Sequence, residues 1–545
     1  MTTFFRSLSA LCLVHFAWCL VPGARPSAQV PAAPKLIVVF VVDQMRADYI
    51  DQYGHQWTSG LKRLVDEGAW FRQAAYPYVD TLTCPGHATI ATGSFPARHG
   101  MIENTWWDRQ QGALVNCADD SATPSVGYTA PVANGYSIHR LLRPTLSDEL
   151  RRQAPVPPRI VSLSLKPRSA IMMAGRRADL VLWFENRGTW ASSAAYGEKP
   201  IAFVHDFVTR NPVDRELTDV WTRMLPAEAY LYADAGSGEA PYQPRSARFP
   251  HTLQGATPQR SYELWTESPL ADAYLGRLAS VAVRSLQLGQ GARTDYLHVG
   301  FSSLDLVGHD FGPWSHEVQD VLVRLDRTIG ALVDELDRLV GRDAYVVALT
   351  ADHGVSPTPE WAVAQGVDAG RIRTNEMAKR VDAAIAAVLG PGKYVSNWRY
   401  TDLYFEPGVY DRLRANHPAL EATLQAVRAV PGVAAVFRRE DLEAERFGDD
   451  PGGRAARLSY YPGRSGDLII LPKPYWITAS TATTHGTAYP YDARVPLILF
   501  GKGIKRGQYV QTVTPADIAP TLAFLAGVTL PDPDGRVLVE ALKPN

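Results

Sequence analysis

Carboxylates and imidazoles recur along this chain at spacings that let them share one point. In Ser302-Ser-Leu-Asp-Leu-Val-Gly-His-Asp310, Asp305 and His309 are four residues apart, so one helical turn or a tight loop aims both at the same place. Asp352 and His353 are adjacent in Leu349-Thr-Ala-Asp-His-Gly354 and converge only through an irregular turn, which Gly354 helps to supply. Asp43 stands in Val41-Val-Asp-Gln-Met-Arg46, and His485 in Thr483-Thr-His-Gly-Thr-Ala-Tyr-Pro490. A hydroxyl joins them in Thr81-Leu-Thr-Cys-Pro-Gly-His-Ala-Thr-Ile-Ala-Thr-Gly93, where Pro85 suits a first helical turn. Thr83 is expected near the N-cap of that helix, facing backbone N–H groups and the positive end of the dipole, a place that attracts phosphate. Carboxylate and imidazole without thiolate suit Zn²⁺ better than Mn²⁺ or Mg²⁺. Two catalytic ions, each with an open position, need roughly seven protein ligands. Asp43, Thr83, Asp305, His309, Asp352, His353 and His485 supply that many. Asp310 is a further candidate, while His87, His99 and His316 are expected to be structural or to stand behind the ligands.

Such a constellation needs strands that end together. Leu36-Ile-Val-Val-Phe-Val-Val42 is an unbroken apolar run, as in a central parallel strand covered on both faces. Similar runs recur at 159–165, 179–183, 296–301, 345–349 and 496–500, with helical periodicity at 60–68, 144–152, 318–340 and 515–526. This alternation predicts an α/β three-layer sandwich with a mostly parallel central sheet. Ligands bind such sheets at the carboxyl ends of the strands, where Asp43, Asp305 and Asp352 fall. Regions near 187–259 and 371–467, rich in Pro, Gly and aromatics, are expected as insertions that cap the sheet of a single catalytic domain spanning 35–545. In Ser162-Leu-Ser-Leu-Lys-Pro-Arg168, Pro167 keeps Lys166 extended, so Lys166 and Arg168 are expected to project to one side of a strand end.

The chain has 545 residues, 46% of them hydrophobic, and a net charge of −1. It can bury a large core, and its balanced charge predicts no binding of nucleic acid or membrane surface. Arg6, the apolar run Leu8–Val21 and the small residues Gly23, Ala24, Ser27 and Ala28 read as a cleavable secretory signal over 1–28. The mature protein is expected to be periplasmic or secreted, without stable membrane insertion. Of four cysteines, Cys12 and Cys19 fall in that signal. The sequence leaves open whether Cys84 and Cys117 are bridged.

Taken together, these residues resemble the alkaline phosphatase superfamily, within it the threonine-nucleophile branch that also holds the nucleotide pyrophosphatase/phosphodiesterases. The similarity is strongest to exported bacterial alkaline phosphatases and runs from Lys35 to about Val528, with Asp43, Thr83, Asp305–His309, Asp352–His353 and His485 in the family's order. The resemblance implies that Thr83 is the nucleophile, since two residues separate it from the Gly86-His87 pair, as in the family. It further implies one zinc bound by Asp43, Thr83, Asp352 and His353 and a second bound by Asp305, His309 and His485. In the resembling phosphatases a Lys-x-Arg pair, here Lys166 and Arg168, contacts the phosphate. So does an Asn, here Asn104 in Glu103-Asn-Thr-Trp-Trp-Asp108. Diesterases of the branch lack the cationic pair. Sulfatases of the superfamily carry Cys-x-Pro-x-Arg, and Cys84-Pro85-Gly86-His87-Ala88 is out of register for it.

Formal charge points the same way. Two zinc ions balance Asp43, Asp305, Asp352 and a Thr83 alkoxide, so Lys166 and Arg168 leave a surplus of two positive charges for a monoester dianion. The expectation is a monomeric phosphomonoesterase acting on small phosphate esters through a phosphothreonine, with two Zn²⁺ and, by resemblance, an alkaline optimum. The alternatives are a phosphodiesterase or nucleotide pyrophosphatase on the same scaffold, and a non-catalytic zinc- or phosphate-binding protein.

Overall fold

In the computed structural model, which describes residues 33–240 and 245–544, strand β1 (Leu36–Val42) is buried at all seven positions. Its alternating side chains enter two different cores. Leu36, Val38, Phe40 and Val42 pack with Leu61 and Leu64 of helix α1 (Gly60–Glu67). Ile37, Val39 and Val41 pack with Ala88 and Ile90 of helix α2 (Thr83–Thr92). A strand apolar on both faces requires helices on both, and each fully buried residue of this kind contributes about 1.5–3 kcal/mol. The result is three layers.

Further strands follow as β2 (Ala69–Ala74), β3 (Asp119–Gly127), β4 (Gly135–Tyr136), β5 (Ile160–Ser164), β6 (Leu180–Glu185), β7 (Thr189–Ser193), β8 (Asp295–Phe301) and β9 (Tyr345–Thr350). A separate lobe then supplies β10 (Val395–Arg399), β11 (Asp402–Phe405), β12 (Val433–Arg438) and β13 (Leu468–Pro472), before β14 (Leu497–Gly501) and β15 (Gly507–Val513) rejoin the main sheet. The main sheet has 11 strands in the order β15-β2-β14-β9-β1-β8-β5-β6-β7-β3-β4. Helices α3 (Leu146–Gln153) and α4 (Pro167–Ala174) share the face of α2. Helices α5 (Pro269–Ser285), α6 (Ser303–Phe311) and α7 (His316–Leu339) share that of α1.

Two expectations change. The sheet is mixed: β9, β1, β8, β5 and β6 are parallel, but β14 runs antiparallel to both β9 and β2, and β7, β3 and β4 continue antiparallel at the other margin. A short connection can only reverse a strand, and Glu185 pairs with Thr189 across the tight β6–β7 turn. Residues 189–193, placed by sequence within a capping insertion, therefore extend the main sheet. Residues from 374 to 472 form a four-stranded antiparallel sheet, β10-β11-β13-β12, with helices Thr374–Leu389 and His417–Arg428 over its own apolar core.

Helix α2 begins at Thr83 itself, with Leu82 in the cap position, one residue earlier than the sequence suggested. Pro85 still falls in the first turn, where its missing N–H costs nothing. Gly93 ends the helix in the left-handed region at φ 69°. Cys84 is disulfide-bonded to Cys117, 33 residues away. Opposite it, Gly86 lies so close to the turn after β9 that a Cβ there would overlap the Asp352 carbonyl oxygen and stand 2.7 Å from Asp352 Cβ.

Two stability tests follow from this helix. Gly86→Ala should cost about 1–3 kcal/mol through overpacking, read as a lower urea midpoint at unchanged slope. An unchanged midpoint would mean that the helix and the turn can separate freely. Replacing both cysteines by Ala should cost about 3–4 kcal/mol for a loop of 33 residues, a loss absent if the link carried no constraint.

Candidate active site

Three carboxylates meet because three parallel strands end at one level. Val42 pairs with Phe301 and Val41 with Thr350, so β1, β8 and β9 release their chains side by side. Asp43 follows β1 directly, Asp305 lies in the first turn of α6, and Asp352 stands two residues beyond β9. All three are buried. Burial, then the charges of Asp305 and Asp352, pushes the Asp43 carboxyl well above the usual carboxylate range. Burial would raise Asp305 too, but Lys166 and His309 hold it well below that range.

The counter-charge is Lys166, which precedes Pro167 at the start of α4. Its Nζ donates to Asp43 Oδ2 at 2.6 Å and also to Asp305 Oδ2. Burial lowers the ammonium's pKa, and the Asp305 and Asp43 carboxylates more than reverse this, leaving it above its ordinary value. The pair expected on a strand end is therefore on a helix start: Pro167 opens α4, and Arg168 sits in its first turn with Nε lacking a partner among the described residues.

The imidazoles are oriented by one repeated device. His309 Nδ1 faces the Thr483 carbonyl at 2.9 Å, His485 Nδ1 the Thr81 carbonyl at 2.8 Å, and His353 Nδ1 the Gly354 carbonyl at 3.0 Å. A carbonyl only accepts, so each Nδ1 carries the proton and each Nε2 turns a lone pair inward. His309 Nε2 is 3.3 Å from Asp305 Oδ1, one helical turn away on α6 as the spacing predicts. His353 Nε2 is 3.4 Å from both Asp43 Oδ1 and Thr83 Oγ1. The rings of His353 and His485 stack at 3.4 Å. Burial, with His353 and His309 adding to it, holds His485 well below its ordinary pKa and so neutral.

This donor set fits divalent metal. Donor atoms of Asp43, Asp352 and His353 lie within 4.8 Å of one another, and so do those of Asp305, His353 and His485. Asp43 Oδ1 and Asp352 Oδ2 are buried oxygens without a hydrogen-bond partner among the described residues. Asp310 falls in neither group.

One support escaped the sequence reading, and others stand where it expected them. Gln44, at φ 68°, donates its N–H to Asp352 Oδ1 at 3.2 Å and its Nε2 to Asp305 Oδ1 at 2.7 Å, thereby bridging two strand ends. Its only signal in sequence was its place directly after Asp43. His87 belongs beside the ligands, with Nδ1 at 2.9 Å from the Thr83 carbonyl and 3.2 Å from Asp352 Oδ2. His99 bonds Thr89 and the Met101 amide, and His316 bonds the Tyr232 carbonyl, both outside the groups above. Asn104 Oδ1 accepts from the Cys84 amide at 2.8 Å, which fixes the orientation of its side-chain amide and leaves the Nδ2 donors facing away from that contact. The Cys117 amide in turn donates to the Asn104 carbonyl at 3.0 Å, so the disulfide, Asn104 and the start of α2 brace one another.

Comparison with known proteins agrees with this geometry. The family model of type I phosphodiesterase / nucleotide pyrophosphatase matches residues 37–493. Alkaline phosphatase PhoK of a Sphingomonas species is 34% identical over 94% of this chain and 92% of its own length. Alkaline phosphatase PhoV of Synechococcus elongatus is 30% identical over 94% of each. The crystal structure of wild-type alkaline phosphatase PafA superposes with a TM-score of 0.87 at 29% identity, covering 94% of this chain and 99% of that one. A second PafA structure carries substitutions of a Thr, an Asn, a Lys and an Arg at the same spacings as Thr83, Asn104, Lys166 and Arg168 here. By strand order, site geometry and these matches, the chain belongs to the type I phosphodiesterase / nucleotide pyrophosphatase family, with alkaline phosphatases as relatives over nearly its whole length.

Proposed function

We propose that this protein is an exported, monomeric phosphomonoesterase that converts small phosphate esters to an alcohol and inorganic phosphate through a phosphothreonine at Thr83. The observation that carries this reading is the cationic pair at the start of α4. Lys166 uses two of its three N–H donors on Asp43 and Asp305 and keeps one for a phosphate oxygen. Arg168 can grip two oxygens at once. The Asp305 and Asp43 carboxylates hold the Lys166 ammonium above its ordinary pKa. A dianion gains more from two cations than a diester monoanion does.

In the proposed reaction, the Thr83 hydroxyl gives up its proton to water, Oγ1 bonds to phosphorus as the bond to the ester oxygen breaks, and the leaving oxygen takes a proton from water. Water then cleaves the phosphothreonine, freeing phosphate and restoring the hydroxyl. Asn104, Lys166 and Arg168 hold the non-bridging oxygens through both displacements. Two zinc ions, one held by Asp43, Thr83, Asp352 and His353 and the other by Asp305, His309 and His485, would lower the pKa of the Thr83 hydroxyl and bear the charge of the departing oxygen. The N-terminal residues 1–28, whose composition suggests export, lie outside the described residues, and no described helix is long and apolar enough to cross a membrane.

The name of the matching family favours a second reading, diester cleavage. Comparing kcat/KM for p-nitrophenyl phosphate and its bis-ester on zinc-loaded protein separates the two, and a preference for the bis-ester reverses the proposal. Lys166→Ala and Arg168→Ala should each lower the monoester value by about 10–100-fold, the loss of a charge-assisted contact of about 1.5–3 kcal/mol, with a smaller effect on the diester. Equal losses on both substrates would remove the assigned role. Thr83→Ala should cost at least about 10³-fold in kcat; full turnover without the hydroxyl would remove Thr83 as the nucleophile, whereas no phosphate release even from the wild type would leave only a binding function.

A further inference from the structure

A second group of carboxylates lies apart from the histidine-bearing one. Asp80, Glu103 and Asp402 are each at most 1% exposed, and an oxygen of each lies within 4.8 Å of those of the other two. Asp80 Oδ1 accepts from the Thr401 hydroxyl at 2.7 Å, and Asp402 Oδ1 accepts from the Gly466 amide and, at 3.5 Å, from the Tyr404 hydroxyl. Glu103 differs from both. Its two oxygens are buried and receive no N–H or hydroxyl donor among the described residues, and it lies against the Asp402 carboxyl, a contact that needs a shared proton or a cation.

Two guanidinium groups nearby offset part of this charge, Arg399 that of Glu103 and Arg109 that of Asp402, without entering the group. The Arg399 guanidinium lies over the Tyr400 ring, and Arg109 pairs with Asp467 beneath its contact with the Tyr404 ring. Burying a carboxylate unpaired is strongly unfavourable, and burying three at contact distance is worse. Such an arrangement requires that protons or a bound cation neutralise the oxygens.

We propose that Asp80, Glu103 and Asp402 form a structural calcium site that fastens the segment leading into Thr83 to the lobe carrying β10–β13. The donors are all oxygen: three carboxylates with the Thr401 and Tyr404 hydroxyls beside them. Without nitrogen or sulfur the set selects a hard cation over zinc. Magnesium keeps several waters, whereas calcium takes six to eight oxygens in flexible geometry and suits a group this deeply buried. The three ligands come from separate parts of the chain. Asp80 stands three residues before Thr83, Glu103 directly precedes Asn104, and Asp402 opens β11. One ion thus couples the proposed nucleophile and its neighbouring amide to the second lobe. The inference concerns ion binding and does not depend on which ester is cleaved.

The test uses the zinc-loaded full-length protein, equilibrated in zinc buffer first without and then with calcium chloride. The expected result is one tightly held calcium per chain by elemental analysis and a rise in unfolding temperature that saturates with calcium. Both should be lost in Glu103→Gln and Asp402→Asn, with zinc content unchanged. Wild-type protein that takes up no calcium, variants that retain it, or an equal response to magnesium would each overturn the proposal. Terbium gives a reading that needs no variant: excitation of Tyr404 should produce sensitised emission that calcium abolishes, and absence of that emission counts against the site.

Discussion

Like charge held together at the ends of adjacent strands is the constraint on which the rest of this structure depends. The parallel register of β1, β8 and β9 brings Asp43, Asp305 and Asp352 to one buried place, whereas separation would be their preference. Each ionised carboxylate taken out of water carries a penalty of several kcal/mol. The neighbours answer that penalty in different ways. Lys166 brings a full positive charge and Gln44 brings two N–H donors by adopting a left-handed backbone, while three imidazoles oriented by main-chain carbonyls join the carboxylates in a donor set that fits a cation. The two apolar layers supply the rigidity that keeps these groups from relaxing apart.

What was legible in sequence was what local chemistry forces. A run such as Leu36–Val42 can only be a doubly covered strand, so the polar residue after it had to stand at a sheet edge. The four-residue spacing of Asp305 and His309 required a shared helical turn, and α6 provides it. The relations that escaped notice depend on backbone atoms or on distant pairing. Carbonyl partners such as Thr81 and Thr483 carry no side-chain signature, and the conformation of Gln44 is imposed by its contacts. Lys166 and Arg168 were assigned to a strand end because Pro167 constrains its predecessor equally well before a helix. The antiparallel margins followed from turns too short to be read as crossovers, and Asp80 and Asp402 stand more than three hundred residues apart in sequence.

Sequence similarity alone spans both monoester and diester chemistry, since one fold hosts several activities and the distinction rests on a few side chains. Here those side chains share their supports with the metal-fitting group. Lys166 is the partner of Asp43 and Asp305, so in the proposed role the ammonium that would meet the substrate is the one that also offsets the buried carboxylates.

The bond between Cys84 and Cys117 adds a matter of timing. Disulfides persist in oxidising surroundings and are kept open in a reducing cytosol. Until this one closes, the helix that begins at Thr83 and the segment bearing Asn104 are joined by hydrogen bonds alone. In reducing surroundings the two segments that build this end of the site therefore lack their covalent brace.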